Sequence, residues 1–126
     1  MKGAFAEPMN ESELEMFKTV AERKPPAQPV KELVCAVGRG GGKDSIASFL
    51  ATYLAASFDP RGKLRPGEKA YVLCLAVDKS QATIAFCYIK GYFEKLPALA
   101  ALVTNVGPSS ISLRNGVTIE VIVNSY

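Results

Sequence analysis

Four glycines within five positions, Gly38, Gly40, Gly41 and Gly42, separate an apolar run, Leu33 to Val37, from a segment of helical spacing, Ser45 to Ser57. Glycine reaches left-handed backbone conformations that other residues resist, so such a cluster marks a tight, bare turn. Lys43 follows the last glycine, and Asp44 and Ser45 lead into the helical segment. Strand, glycine loop, lysine, helix is the layout of a phosphate-binding loop. The curled backbone of such a loop points successive N–H groups at an anion, and the helix start adds unpaired N–H groups and the positive end of its dipole. Lys43 would reach the β- and γ-phosphates as a point charge. The candidate phosphate-binding set is therefore Gly38, Arg39, Gly40, Gly41, Gly42, Lys43, Asp44 and Ser45.

The pattern departs from G-x-x-x-x-G-K-[ST] at both ends: Val37 stands where its first glycine falls, and Asp44 follows the lysine. What remains is the relaxed form G-R-x-x-G-K-x-S. With bound nucleotide, either Asp44 or Ser45 would serve Mg²⁺: the carboxylate directly, or the Ser45 hydroxyl while Asp44 caps the helix. The plain alternative is a flexible glycine turn with Lys43 solvated.

A chain of 126 residues suits one domain with a modest core, and 48% hydrophobic and 21% charged residues are ordinary for a globular chain. The net charge of +3 is too small to argue for nucleic acid by itself. No apolar run approaches the ~20 residues that span a bilayer. The N-terminus, with Glu7, Glu11, Glu13 and Glu15, lacks secretory-signal character. Cys35, Cys74 and Cys87 have no metal-ligand spacing and read as reduced core residues of a cytoplasmic protein.

In chain order, residues 1–10 read as a lead-in. A short helix follows from Glu11 to Glu22, capped by Ser12 with Glu15 and packing on Leu14, Phe17 and Val20 or Ala21. Three prolines between Lys24 and Pro29 end it. Leu33 to Val37 is the first core strand, and the loop helix shows Ile46, Phe49, Leu50, Tyr53 and Leu54 on one side. Phe58 to Lys69 is a polar turn region. Tyr71 to Val77 reads as a strand buried on both faces. A helix runs from Asp78 to about Leu96, with Asp78 or Ser80 as cap and Ile84, Phe86 or Cys87, Tyr88 and Phe93 facing the core. Pro97 closes it or opens a short helix through Leu102. Alternation on either side of Asn115-Gly116 predicts a C-terminal hairpin with a primed turn.

Strands followed by helices, with the glycine loop after the first, describe an α/β fold: a partial P-loop NTPase with a mostly parallel sheet flanked by helices and a C-terminal β-hairpin. Residues 1–30 form the helix and Pro-rich lead-in, and 31–126 the incomplete ATPase core. In such sheets a ligand lies at the carboxyl ends of the strands, which makes Asp78 and Gln81 secondary site candidates beside the loop. Their plain alternative is a helix cap.

The runs GRGGGKDSIASFLATYLAAS, LCLAVDKSQATIAFCYIKGYF, LPALAALV and ISLRNGVTIEVIVNS, in that order from about Glu13 onward, resemble the start of a tailed-phage terminase large subunit, the ATP-driven motor that packages viral DNA and cuts it. The resemblance implies that Lys43 is the phosphate-loop lysine, that Arg39 contacts or responds to the γ-phosphate, and that the segment at Asp78 to Ala82 lies in the ATPase core. It implies ATP and Mg²⁺ as cofactors, and viral DNA, a portal protein and a small terminase subunit as partners. It also implies homo-oligomers of the full-length form, the host cytoplasm as location, and no membrane.

ATP hydrolysis in such motors needs a strand ending in Asp-Glu, for Mg²⁺ and for the attacking water. The acidic residues after the loop helix are Asp59, Glu68, Asp78, Glu94 and Glu120; Lys79 follows Asp78, and Glu120 lies within the hairpin. In the resembling family that pair comes after the hairpin. The expectation is the front part of such a motor, cut before its catalytic strand, binding nucleotide weakly with little or no turnover and prone to self-association. Two other classes remain open: another P-loop enzyme of the small-molecule kinase type, and a non-catalytic α/β interaction fragment. Arg61, Arg65 and Arg114 are too scattered to form a kinase lid. Lys63, Arg65, Lys69, Lys79 and Lys90 form no basic stripe for DNA.

Overall fold

The structure is a computed structural model that describes residues 1–124. The chain divides into two compact units, Met1–Gly38 and Arg39–Tyr126, with the boundary inside the glycine loop.

In the first unit, a 3₁₀ turn (Lys2–Phe5) precedes helix α1 (Glu11–Ala21). The cap of α1 is Asn10, not Ser12. Its side chain accepts from Glu13 N (2.8 Å), and the Glu13 carboxylate accepts from Asn10 N (3.0 Å), closing a capping box two residues earlier than the sequence suggests. Lys2 bonds the same carboxylate at 2.7 Å; that hydrogen bond and the one from the Asn10 backbone hold the Glu13 carboxyl below its usual range. Leu14 and Phe17 are half-buried, whereas Val20 is exposed. A Cβ on Gly3 would stand 2.4 Å from the Phe17 ring, so this contact needs glycine.

The second unit carries helix α2 (Lys43–Ser57), strand β1 (Ala70–Ala76), helix α3 (Lys79–Lys95), a single turn α4 (Pro97–Ala100), and strands β2 (Val103–Val106), β3 (Ser110–Leu113) and β4 (Val117–Val123). The described strands form one sheet in the order β1-β4-β3-β2. β1 runs parallel to β4, in register from Ala70 opposite Val117 to Ala76 opposite Val123, while β4–β3 and β3–β2 are antiparallel. The architecture is thus α/β, with a mixed sheet where a mostly parallel one was expected.

The difference has a local origin. Leu33 to Val37 forms no strand; Val34 is 91% exposed, and Leu33 is exposed too. Without that segment the sheet has a single parallel pair. β2, which begins just after the stretch read as a short helix through Leu102 and to which the sequence reading assigns no element, supplies the far edge.

Helices α2 and α3 pack on one face of the sheet. The core joins Ala51 and Ala55 of α2 and Ile89 and Phe93 of α3 to Ile111, Leu113, Val117, Ile119 and Val121. α2 presents its small side chains inward: Ser48, Ala51, Thr52 and Ala55 are buried, while Ile46, Phe49, Tyr53 and Leu54 are exposed. The large apolar side that the spacing groups together is thus the more exposed one, although its Phe49 meets the Tyr92 ring of α3 edge-on. Small residues let α2 lie close to α3 and the sheet; the Ser48 hydroxyl donates to Ala85 O of α3, and the Thr52 hydroxyl donates to Ser48 O within α2. On α3 the expected core face holds in part: Phe93 is buried and Phe86 packs against the core, whereas Ile84, Cys87 and Tyr88 are exposed and Ile89 is buried instead.

β1 is covered on one face only. Val72 and Cys74 pack against the core, but Tyr71, Leu73 and Leu75 on the other face are 50%, 56% and 70% exposed. The expectation of a strand buried on both faces therefore fails for the described residues. Cys35 and Cys87 are exposed free thiols and Cys74 is half-buried, so the expected set of core cysteines reduces to Cys74.

The hairpin joins β3 to β4, as the sequence predicts, but by a different turn. Gly116 N donates to Leu113 O (3.0 Å), and Gly116 is left-handed at φ +86° while Asn115 is not. A primed Asn-Gly turn needs both residues at positive φ. Asn115 spends its side chain elsewhere: Nδ2 donates to Ala55 O (2.8 Å) and Phe58 O (3.0 Å), tying the end of α2 to the hairpin.

Candidate functional site

The glycine loop enters α2 through Gly40 and Gly42, at φ +77° and +74°. Gly42 is the residue before the first helical turn, and its carbonyl accepts the first helical bond, from Ile46 N at 3.0 Å. No side chain caps this turn, whereas Asn10 caps α1 and Asp78 caps α3. A helix start with neither an Asp, Asn, Ser nor Thr at its cap leaves first-turn N–H groups to solvent or to an anion. A Cβ at Gly38, Gly40 or Gly42 would meet nothing within 4 Å. The glycines at 40 and 42 therefore serve the backbone turn, not close packing, and Gly38 shows neither requirement.

Lys43 occupies the first helical position, and its Nζ lies 3.0 Å from Asp44 Oδ1. Both side chains are about half exposed, at 55% and 45%, so the pair is screened by water and held weakly. Arg39, Gly40 and Gly41 are exposed. Ser45 is turned to α3, where its Oγ lies 2.9 Å from the Tyr92 hydroxyl.

Asp44 also lines a cleft of about 330 Å³ with Ser48, Cys74, Ala76, Gln81 and Ala85. This cleft lies where the carboxyl-terminal half of β1 meets the first turns of α2 and α3, the edge at which open α/β sheets take ligands. Burial pushes the Cys74 thiol pKa up. Of the secondary candidates, Gln81 lines the cleft, while Asp78 caps α3 by accepting from Gln81 N at 2.8 Å. The fold thus brings Asp44 and Gln81 to one cleft and uses the Asp78 carboxylate as a cap.

Tyr92 is the residue at this site that sequence reasoning missed. It lies one position before Phe93 on a helix read as an aromatic packing face, and only its polar tip distinguishes it. Among the described residues no group of three or more His, Cys, Asp or Glu side chains is placed to hold a metal ion, and no helix is long and apolar enough to cross a membrane.

No family model, curated protein or solved structure matches this chain.

Proposed function

We propose that the chain binds ATP with Mg²⁺ at residues Gly38 to Ser45, as the nucleotide-binding front part of a DNA-packaging motor of the terminase large-subunit type. The observation that carries the proposal is the uncapped start of α2, reached through left-handed Gly40 and Gly42 and followed at once by Lys43. A triphosphate satisfies the open N–H groups and draws Lys43 from its exposed pair with Asp44. Asp44, released, becomes available to Mg²⁺. The cleft holding Asp44 and Gln81 gives the rest of the ligand a place at the sheet edge. The P-loop character of the fold rests on this loop and helix, since Leu33 to Val37 forms no strand. Viral DNA, a portal protein and a small subunit are the partners the resemblance supplies.

Calorimetric titration with Mg²⁺-ATP, wild type beside Lys43→Ala, tests the proposal. Wild type binds, and the alanine variant binds at least about tenfold more weakly, the loss of one charge-assisted contact. Turnover is negligible in both, because no strand of this sequence ends in Asp-Glu. Equal affinity in the two proteins, or no binding by wild type, would count against the site.

A further inference from the structure

A row of hydroxyls and small side chains holds α2 against α3. Ser48 Oγ donates to Ala85 O at 3.2 Å, and Thr52 Oγ1 donates back to Ser48 O at 2.9 Å. At the glycine-loop end of this row stands Tyr92. Its hydroxyl donates to Ser45 O at 3.2 Å and lies 2.9 Å from Ser45 Oγ. With the Tyr92 proton on the carbonyl, the Ser45 hydroxyl donates to the phenol oxygen, and the two residues form a reciprocal, part-buried pair across 47 positions of sequence. The Tyr92 ring is itself braced edge-on by Phe49, with centroids 5.8 Å apart. Asp44, one residue earlier, has its carboxylate on Lys43 and its flank on the cleft. Neighbouring residues of one helical turn thus face different ways: Ser45 to α3, Asp44 to the loop lysine and the cleft.

The geometry points to Tyr92 as a positioning residue for the phosphate loop, which it latches through Ser45, leaving Asp44 as the residue that serves Mg²⁺. This inference rests on the nucleotide reading above. A loop built on glycines has little stiffness of its own, so the orientation of the first-turn N–H groups depends on how that turn is tied to the rest of the fold. Farther along the helix, the α2–α3 contacts are made by small side chains and by Phe49 against the Tyr92 ring. Tyr92 carries the restraint to the turn at which an anion would dock.

Tyr92→Phe keeps the ring and its contact with Phe49 and removes only the hydroxyl; Ser45→Ala removes the other half of the pair. Two measurements on wild type, both single variants and the double variant, with Asp44→Asn added to the titrations, test the inference. Amide hydrogen exchange without nucleotide reads the latch itself: exchange at Ile46, whose N–H makes the first helical bond, and at the amides of the turn after it speeds up in all three variants, while the core strand β4 keeps its protection. Titration with Mg²⁺-ATP at a series of Mg²⁺ concentrations reads its role. Each single variant binds about fivefold more weakly, the scale of one neutral hydrogen bond. The double variant is no weaker than either single, because both remove the same contact. The Mg²⁺ midpoint stays where it is in Ser45→Ala and shifts in Asp44→Asn.

Unchanged exchange at Ile46 and the turn after it in Tyr92→Phe would overturn the latch. Faster exchange with unchanged nucleotide affinity would overturn the positioning role. A Mg²⁺ midpoint that moves in Ser45→Ala but not in Tyr92→Phe would make Ser45 the metal ligand and overturn the division of roles. Absence of nucleotide binding by wild type defeats the nucleotide reading, and the positioning role with it. That failure shows in wild type alone, whereas failure of the latch shows only between wild type and variant.

Discussion

Asp59 shows how far a single side chain can be tuned by its neighbour at the surface. Arg61 binds it through Nε at 2.9 Å and Nη2 at 2.8 Å, and the Arg61 backbone N–H adds a third bond at 3.1 Å. The side-chain bonds, then the backbone bond, lower the carboxyl pKa to about 2. The folded value lies below the usual carboxylate range, so the pair favours the fold above pH ~4, and the contribution fades as pH falls toward the folded value. Both groups are solvent-exposed and the energy is small, but the titration is local and readable. An NMR pH titration should place the Asp59 midpoint at about 2, and Arg61→Ala should return it to the ordinary range. An unshifted Asp59 in wild type would show that the fork is not formed in solution. Asp59 and Arg61 stand two apart in a turn, close enough in sequence for such a pair to be read without a structure. Ser45 and Tyr92 stand 47 apart, and nothing in the sequence joins them.

At the scale of elements, α2 shows that the larger apolar stripe of a helix need not be the buried one. Two stripes run along this helix: a large one with Ile46, Phe49, Tyr53 and Leu54, and a small one with Ser48, Ala51, Thr52 and Ala55. Transfer from water favours burying the large stripe. The contact with α3 and the sheet instead selects side chains small enough for close approach, and the hydroxyls among them are satisfied by carbonyls. Ala55 is fully buried at 0% exposure, beside the carbonyl that holds Asn115. Ala55→Leu should therefore destabilise the chain by about 1–3 kcal/mol through overpacking. Ile46→Leu, on the outer stripe, should change stability by less than ~0.5 kcal/mol. Urea unfolding midpoints check both; a neutral Ala55→Leu would mean that the helix interface is looser than the structure has it. The caps follow the same logic at shorter range. Asp78 sits where the sequence places it, and Asn10 displaces Ser12 because its side chain and that of Glu13 close a complete box.

For the whole molecule, the consequential feature is the sheet face that the helices leave open. Tyr71, Leu73 and Leu75 of β1, with Ile122 beside Leu75 on β4, line that face, and the far edge of β1 pairs with no other described strand. An apolar strand with a free edge is a template for association. Sedimentation velocity should show concentration-dependent self-association, and Leu73→Lys should reduce it while far-UV circular dichroism stays the same. A wild type that remains monomeric over the whole concentration range would show that the face is not sticky in solution.

Local chemistry alone determined the loop, the helices that follow it and the hairpin. Glycine clusters, caps, prolines and short-period alternation act within a few residues, and their geometry is largely set by covalent structure. Legible in this way were α2 beginning at the glycine loop, α3 beginning at Asp78, and β3 turning into β4 near Asn115-Gly116. The tertiary structure decided what depends on partners distant in sequence. It left Leu33 to Val37 unpaired although its composition suits a strand, because strand formation needs an edge to bond to and not only apolar residues. It chose which stripe of α2 is buried, covered β1 on one face, and took Asn115 from the turn to the end of α2. It also joined Tyr92 to Ser45 and brought Asp44 and Gln81 to one cleft. Each of these rests on a contact between elements, and no window of sequence contains both sides of it.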